Sequence, residues 1–462
     1  MEENADLPMY KIGQKTRRLA AMALVVKNNM QAKNTLNQLD KNDKALAKSL
    51  KKVASGMKIN SAEDDASGYA ISEKMVTQMR SLSQDIDNAQ TGASMLKVAE
   101  GGIQSTVDIL STLKEKVINA ANDTNTDADR AIIQKELDQA VEQLDDNANV
   151  QYNGKIMLDG SHNNEVLSPG TKTVLVNESL SESVTATTRL TNLTDFSGRS
   201  LGILSDSKIE ISYVRQGETH MLELDPVGTR RLSQLLSAST SLDGTSVSGV
   251  MNIGVSSLVG TDRVQENVYT VKGNNALVFT AANPGLDGQI SGLTINVVNK
   301  DGTINRTANS VLNDFYEAVR AENPSPDNAL VFQVGTKANQ SVKMGFSDMR
   351  GMALGLRSTD GSTLSIATQK KANAAISVLE LALQKALNQQ TTIGSVESRM
   401  DYTIANLTTS NENTNAAESV IRDADMAKEM TAYTKNNVLT QAAQSMLAQA
   451  NQNSSAVLSL LQ

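Results

Sequence analysis

The chain has 462 residues, of which 39% are hydrophobic, and this length allows roughly two to four domains. It contains no Trp, no Cys and only two His, His162 and His220, which excludes disulfides, thiolate chemistry and a His-rich metal site, so no metal or cofactor is expected. The net charge of −8 argues against nucleic acid or an anionic membrane as a partner, and no apolar run has the length of a membrane span or the form of a secretory signal.

The N-terminal part of the chain begins with a polar segment and continues into a predicted helix. Residues 1–21 are polar, are basic at Arg17 and Arg18, and continue no apolar pattern. From residue 22 to residue 56 we predict a helix with Gly56 as its C-cap, because glycine readily adopts the left-handed conformation found at helix ends. The apolar stripe of this helix comprises Met30, Leu36, Leu39, Leu46, Leu50 and Val53.

A second, much longer helix is predicted from about residue 62 to about residue 121. Apolar residues recur at steps of three and four from Ile71 to Leu110, which is the pattern of one helix face. At about 1.5 Å per residue such a helix would be roughly 90 Å long, so it needs a partner along its whole length. We predict Ser61 as its N-cap, with Asp64 near the positive end of the helix dipole.

Further helical stripes follow in both arms of the chain. A stripe of Ile133, Leu137, Val141 and Leu144 predicts a third helix that folds back on the second. A seven-residue rhythm in the C-terminal arm comprises Ile376, Leu379, Leu383, Ile393, Met400, Ile404 and Leu407. A last stripe comprises Val438, Leu439, Ala442, Met446, Leu447 and Ala450. Because residues 22–160 and 327–462 contain no Pro, we predict a mainly α fold whose two arms pair as a long antiparallel bundle or coiled-coil rod.

The middle of the chain, residues 161–330, differs from the arms. The stretches "KIEISYVRQGETHMLEL" and "LTINVVNKDGTINRT" alternate apolar and polar residues around a turn, as strands do. Each is followed by a helix-like stretch, "RRLSQLLSA" and "SVLNDFYEAV". This weak internal repeat predicts a solvent-facing α+β insert made of two small modules.

Several stretches of both arms resemble bacterial flagellins. "INSAEDDASGYAISEKM" at 59–75 and "IRDADMAKEMTAYTKNNVLTQAAQSMLAQAN" at 421–451 are similar to the N- and C-terminal flagellin signatures. "MALVVKNNMQAKNTLN" at 22–37 resembles the usual flagellin start, and "VGTKANQSVKMGFSDM" at 334–349 is similar to the hairpin that closes the inner rod domain. The resemblance covers about residues 22–160 and 330–462.

The resemblance implies a structural subunit that polymerises into the helical flagellar filament after export by the flagellar type III apparatus, and no enzymatic activity. It implies an extracellular location and four kinds of partner: further copies of the chain, an export chaperone on the C-terminal helix, and the filament cap and junction proteins. The implied division is a filament-core helix at 22–56, rod segments at 57–160 and 331–425, a variable outer insert at 161–330, and a second filament-core helix at 426–462.

The residues expected to make filament-core contacts lie at both ends of the chain. Apolar clusters this close to chain ends need something to bury against, and the resemblance implies that neighbouring subunits provide it. The set comprises Leu24, Val25, Met30, Leu36, Leu39, Leu439, Met446, Leu447, Val457, Leu458, Leu460 and Leu461.

Two features depart from the flagellin pattern. Residues 1–21 would add charge to an end that the resemblance places inside the filament, so we expect that the start codon is misplaced and that the protein begins at Met22. The helix stretch that carries an Arg and a Leu in flagellins recognised by the host Toll-like receptor has Thr112 and Lys116 at those positions here. We therefore expect weak receptor activation. The receptor patch under this interpretation comprises Leu110, Thr112, Leu113, Lys116 and Glu136.

Three other functions can be compared with that of a filament subunit. A zinc protease of the kind found in some flagellin inserts needs two His four residues apart, and neither His162 nor His220 has such a partner. A hook-filament junction protein shares the terminal helices but lacks the full "RDADMAKEMT" signature. An unrelated coiled-coil secretion translocator is the third alternative.

Overall fold

The computed structural model describes residues 29–235, 240–241 and 249–460, apart from the side chains of 240, 241, 454 and 456–460. Within these ranges both arms are helical and the middle is rich in strands. The helices are α1 Met30–Ser55, α2 Ala66–Ala120, α3 Asp127–Ala148, α4 Arg306–Leu312, α5 Gly351–Leu354, α6 Gln369–Arg422 and α7 Met426–Leu460. The predicted combination of helical arms and an inserted middle region is therefore confirmed.

The strands are short and mostly confined to the middle region. They are β1 Gln151–Tyr152, β2 Lys155–Ile156, β3 Val174–Asn177, β4 Lys208–Arg215, β5 Glu218–Leu224, β6 Thr240–Ser241, β7 Met251–Ser256, β8 Leu258–Thr261, β9 Asn267–Tyr269, β10 Ala276–Ala281, β11 Ile290–Val298, β12 Tyr316–Val319, β13 Leu330–Gln333 and β14 Ser341–Met344. Every strand pair among them is antiparallel. No crossover helix is therefore needed between paired strands.

The helix ends follow from capping residues in the sequence. Gly56 ends α1 with φ of 73°, and its N–H donates to the Lys52 carbonyl, so this predicted C-cap is confirmed. The prediction of Ser61 as the N-cap of α2 is wrong. Asp65 takes that role, because its Oδ1 accepts from the N–H groups of Ser67 and Gly68 at 3.1 and 3.0 Å. A carboxylate next to the helix start also interacts favourably with the helix dipole, which a serine hydroxyl does not.

One compact unit contains residues 1–83 and 408–462, as far as they are described. In it α1 and α7 run antiparallel: Asn42 Nδ2 donates to the Leu439 carbonyl at 3.2 Å, and Lys52 pairs with Glu429, also at 3.2 Å. This is the unit that holds most of the sequence-predicted filament-core residues.

The second unit contains residues 84–407. Here the segments of α2 and α6 are antiparallel, since Lys97 pairs with Glu397 at 3.5 Å and Lys114 pairs with Glu380 at 3.6 Å. The third helix α3 packs against them, as its stripe predicts. The core of this bundle includes Leu96, Ile103, Leu110, Leu137, Val141, Leu144, Leu379 and Ile393, all fully buried.

The middle region forms two four-stranded sheets, with strand orders β12-β3-β10-β7 and β11-β4-β5-β6. The two sheets share one hydrophobic core, in which Phe279 and Leu175 of the first sheet join Ile211, Leu222 and Ile295 of the second. The prediction of two separate modules is therefore wrong. Each sheet has an apolar face that must be buried, and the two faces cover each other.

The predicted repeat is only half present. The first stretch forms the β4–β5 hairpin as expected, with Gln216 and Gly217 at its turn. In the second stretch β11 is not followed by a strand but by helix α4, and the chain then enters β12. The helix predicted from "RRLSQLLSA" is represented among the described residues by one short 3-10 turn at Leu232–Gln234.

Candidate self-assembly surface

The contact between α1 and α7 is lined by polar side chains. The two residues of α1 that are buried are Asn42 and Ser49. Besides the Asn42 bond, Asn436 Nδ2 donates to Ser49 Oγ at 3.1 Å, and Asn29 Nδ2 donates to the Ala450 carbonyl at 3.2 Å. Each of these bonds contributes about 0.5–1.5 kcal/mol, far less than a leucine seam would. The pairing is thus fixed in register but weakly held.

Ion pairs extend this polar seam. Lys52 and Glu429 are both mostly buried at their 3.2 Å contact between α1 and α7. Near the end of α1, Lys48 Nζ lies 2.9 Å from an Asp64 oxygen in the linker that follows. The hydrogen bond from Lys48 and one from the Asn60 N–H hold the pKa of Asp64 below its usual value. An ion pair therefore helps to hold the linker against the helix.

Many large apolar residues of the two helices are exposed, whereas Leu39, Leu46 and Leu447 are half-buried. Met446 is 62% exposed, Met30 is 60% exposed and Val438 is 58% exposed. We call this set the outer apolar face. It comprises Met30, Leu36, Leu50, Met426, Met430, Val438, Leu439 and Met446, all at least partly open to solvent. Exposed large apolar side chains are candidates for contact with another protein when they concentrate on one part of a surface.

The predicted filament-core residues are distributed unevenly over the described structure. Met30, Leu36, Leu439 and Met446 belong to the outer apolar face, whereas Leu39 and Leu447 are half-buried. Leu24, Val25 and Leu461 lie outside the described residues, as do the side chains of Val457, Leu458 and Leu460.

Four residues of the outer apolar face were missed by the sequence prediction of contact residues: Leu50, Met426, Met430 and Val438. Leu50 and Val438 already stood in predicted stripes. An apolar stripe can lie either in the contact between two helices or on the outer surface, so the sequence alone does not predict that these two residues are exposed.

The linkers at one end of the α1–α7 pair are joined to each other. The Lys58 N–H donates to the Arg422 carbonyl at 2.8 Å, and the Ala424 N–H donates to the Gly56 carbonyl at 2.9 Å. The Arg422 guanidinium lies 2.9 Å from Glu73 and faces the Tyr69 ring at 5.5 Å. These bonds fix where α1 and α7 begin their contact.

The predicted receptor patch lies on α2 and α3 in the second unit. Leu110 and Leu113 are buried in the bundle core, so the surface carries only Thr112, Lys116 and Glu136 of the five. Lys116 Nζ pairs with Glu136 at 3.0 Å beside a shallow groove of about 270 Å³. Thr112 Oγ1 donates to the Asp108 carbonyl of its own helix.

No cluster of His, Asp or Glu with the arrangement of a metal site occurs among the described residues, and none of their helices is long and apolar enough to cross a membrane. His220 stacks on Tyr213, and the Nδ1 of His162 lies 3.3 Å from the Asn328 carbonyl.

Two family models match the arms of the chain. The bacterial flagellin N-terminal helical region matches residues 26–163, and the bacterial flagellin C-terminal helical region matches residues 376–461.

Similar full-length proteins agree with the family models. A flagellin of Clostridium tyrobutyricum is 32% identical over 93% of this chain and 99% of its own length. A flagellin of Bacillus subtilis is 27% identical over 94% of this chain and 99% of its own length. Among solved structures, FliC of Burkholderia pseudomallei is 16% identical with a TM-score of 0.26, over 67% of this chain and 99% of its own. The flagellar junction protein FlgL of Legionella pneumophila is 12% identical with a TM-score of 0.28, over 71% and 99%.

Proposed function

This chain belongs to the bacterial flagellin family, and we propose that its outer apolar face is the surface through which its subunits join. The protein is a structural subunit of the extracellular flagellar filament and not an enzyme. One observation carries the proposal: the buried residues of α1 are Asn42 and Ser49, whereas eight large apolar side chains of α1 and α7 are exposed.

The energetics of this arrangement favour burial in an assembly. Fully burying a large apolar side chain contributes about 1.5–3 kcal/mol, and covering the exposed half of one contributes about half of that. These side chains are not buried in the α1–α7 contact of one subunit. Their burial can therefore stabilise contacts between subunits. Contacts between different faces that do not close into a ring generate a helical polymer.

The direction of the face supports an oblique crossing of neighbouring helices. Met426, Met430, Val438 and Met446 are separated by four or eight residues along α7. Each step of four residues moves the row about 40° around the helix axis, so the row winds across the outward surface. Neighbouring helices that follow this row would cross α7 at an angle, as in ridge-into-groove packing.

The proposed contact surface also suggests where the other parts of the chain lie in the filament. We propose that the helices of 22–56 and 426–462 line the filament core and that the bundle segments of 57–160 and 331–425 form an antiparallel rod around them. The insert of 161–330 would then face solvent. Strands that alternate apolar and polar residues, with a shared core of their own, support an insert that folds without help from neighbours.

We propose that the export chaperone and the cap and junction proteins also bind the outer apolar face or the helices that carry it. The exposed apolar row on α7 must be protected from non-specific contacts before assembly. A chaperone bound to the C-terminal helix would provide this protection before export through the type III apparatus. Cap and junction proteins would meet the same helices at the two ends of the filament. Recognition by the host Toll-like receptor would be weak, because Lys116 places a charge, paired with Glu136, where the family pattern has an apolar contact.

Electron microscopy of the purified protein under polymerising salt conditions tests the proposal. A filament subunit extends long polymers, whereas a junction protein forms only short assemblies and a secretion translocator forms none. Filaments that also form after the outer apolar face has been made charged would show that the subunits join elsewhere.

A further inference from the structure

The edges of the two insert sheets differ in how they are protected. The outer edge of β11 is covered by two asparagines of the α4 region that imitate a neighbouring strand. Asn313 Oδ1 accepts from the Ile295 N–H at 2.6 Å, and its Nδ2 donates to the Ile295 carbonyl at 2.8 Å. Asn309 Oδ1 accepts from the Val297 N–H at 2.7 Å. These backbone groups are therefore already hydrogen-bonded and cannot pair with a further strand.

Two other edges carry different devices that hinder strand pairing. β12 holds Glu317, whose buried carboxylate lies 3.3 Å from Lys385 on α6. A charge pointing into the protein at an edge makes strand addition costly. β6 has only two residues, too few to direct a partner strand.

The edge strand β7 has none of these devices. Its sequence from Met251 to Ser256 contains no charge and no proline. The Ala282 N–H donates to the Val250 carbonyl, which fixes the alternation along β7: residues 252, 254 and 256 bond to β10. The N–H and C=O groups of Met251, Ile253 and Val255 therefore point outward. Within the described residues no hydrogen bond reaches these outward groups.

The sequence of β7 is complementary to itself. In an antiparallel pair of two copies centred on Gly254, Ile253 lies opposite Val255 of the second copy on the core-facing side, and Asn252 lies opposite Ser256 on the other side. The two Gly254 residues meet on the two-fold axis, and a Cβ built there touches nothing within 4 Å. Because the strand is uncharged, no like charges oppose each other in this register.

We propose that β7 is a docking edge for β7 of a second copy of this chain and that it links the inserts of neighbouring filaments. The inference rests on the proposed outward position of the insert. Pairing of two identical strands requires a two-fold axis between them. Subunits within one filament are related by a screw operation, so the partner copy belongs to another filament.

The contact is weak for one pair of subunits and effective for a polymer. The register above gives about four hydrogen bonds between the two strands, and the flank of one strand covers far less than the roughly 1,200–2,000 Å² of a stable interface. Isolated subunits therefore remain separate. Two filaments present many such edges at once, and multivalency turns weak contacts into lasting lateral association.

Gly254→Lys tests the edge. The new side chain meets nothing in the single subunit, yet in the paired register two lysines oppose each other where side chains are closest. We expect full-length filaments of this variant to form normally. The amount that sediments as bundles at low speed should fall at least about tenfold relative to wild type. Ser183→Lys, on another exposed part of the insert, adds the same charge and should leave bundling unchanged.

A mixture supplies a gain-of-association test. Gly254→Glu filaments alone should also fail to bundle, whereas mixing them with Gly254→Lys filaments should restore bundles at low salt, because opposite charges then face each other. Equal bundling of wild type and Gly254→Lys, equal loss in the Ser183→Lys control, or no bundling of wild-type filaments would each overturn the proposal. Failure of wild-type protein to polymerise would instead contradict the filament function itself.

Discussion

Lys385 on α6 lies 3.3 Å from the carboxylate of Glu317 on β12, and less than a tenth of either side chain is exposed. The pair connects the bundle helix to an edge strand of the insert within the second unit. Burial lowers the pKa of Lys385 from its usual value, and the nearby Glu317 opposes part of that shift. The pair therefore carries a cost of desolvation that its mutual attraction only partly offsets.

Replacing one member of this pair is expected to be severe. In Lys385→Met the Glu317 carboxylate stays buried without its cation, which costs about 3–5 kcal/mol of the free energy of unfolding. Urea unfolding of the monomer, followed by circular dichroism, measures the loss.

The matched control for this prediction removes both charges. Lys385→Met/Glu317→Leu removes both charges of the pair and leaves the neighbouring Arg320 and Glu322 as they are, so its stability should return to within about 1–2 kcal/mol of wild type or exceed it. A double variant as unstable as the single one would mean that packing around Lys385, and not the charge of Glu317, determines the effect.

The same pair predicts a dependence on pH. The folded pKa of Lys385 lies below 10.5, its ordinary value, so between these two values the unfolded chain binds more protons than the folded chain. The free energy of unfolding contributed by this group therefore rises with pH in that window, by at most about 1.4 kcal/mol per pH unit.

Comparing wild type with the Lys385→Met/Glu317→Leu variant isolates this contribution, because the other titrating groups are common to both. Urea unfolding at a series of pH values up to about 10.5 should show wild type gaining stability relative to the double variant as the pH rises. A constant or falling difference over that range would show that burial does not lower the pKa.

The helical arms were predictable because apolar residues that recur over many turns with a 3.6-residue period are compatible with a helix and not with a strand. The stripe through Leu96 and Ile103 on α2 is buried as the spacing indicated. Lys385 was not predictable, since a lysine within a helical pattern is normally placed in solvent, and its partner Glu317 comes from a distant strand. The shared core of the two insert sheets was missed for the same reason: alternation shows that a face is apolar but not what covers it.

The candidate surface was predictable in part. Met30 and Met446 stand near the chain ends in apolar stripes, and both are exposed. What the sequence did not reveal is that the buried residues of α1 are Asn42 and Ser49, while apolar residues such as Leu39 are only half-buried. Apolar stripes normally mark the inside of a helix pair, so the side that faces outward could not be assigned without the structure.

Met446→Lys tests the outer apolar face directly. The side chain is 62% exposed, so the single subunit should keep its helix content and stability within about 0.5 kcal/mol. Burying the new charge between subunits should abolish polymerisation at concentrations where wild type forms filaments. Gln444→Lys is the control, since residue 444 is exposed on the opposite flank of α7 at the same level. Electron microscopy and sedimentation measure the outcome, and normal filaments from Met446→Lys would contradict the proposed surface.

Thr112 and Lys116 provide a gain-of-function test of weak receptor recognition. Thr112→Arg/Lys116→Leu adds a guanidinium fork and removes the charge that pairs with Glu136. We expect the monomer concentration for half-maximal activation of receptor-expressing cells to fall at least about tenfold, equivalent to about 1.4 kcal/mol of binding. Thr91→Arg/Lys97→Leu makes the same changes on exposed positions of α2 and also breaks an ion pair, with Glu397, so it should leave activation unchanged. Equal responses of both double variants, or wild-type activation already at low nanomolar concentration, would show that these positions do not limit recognition.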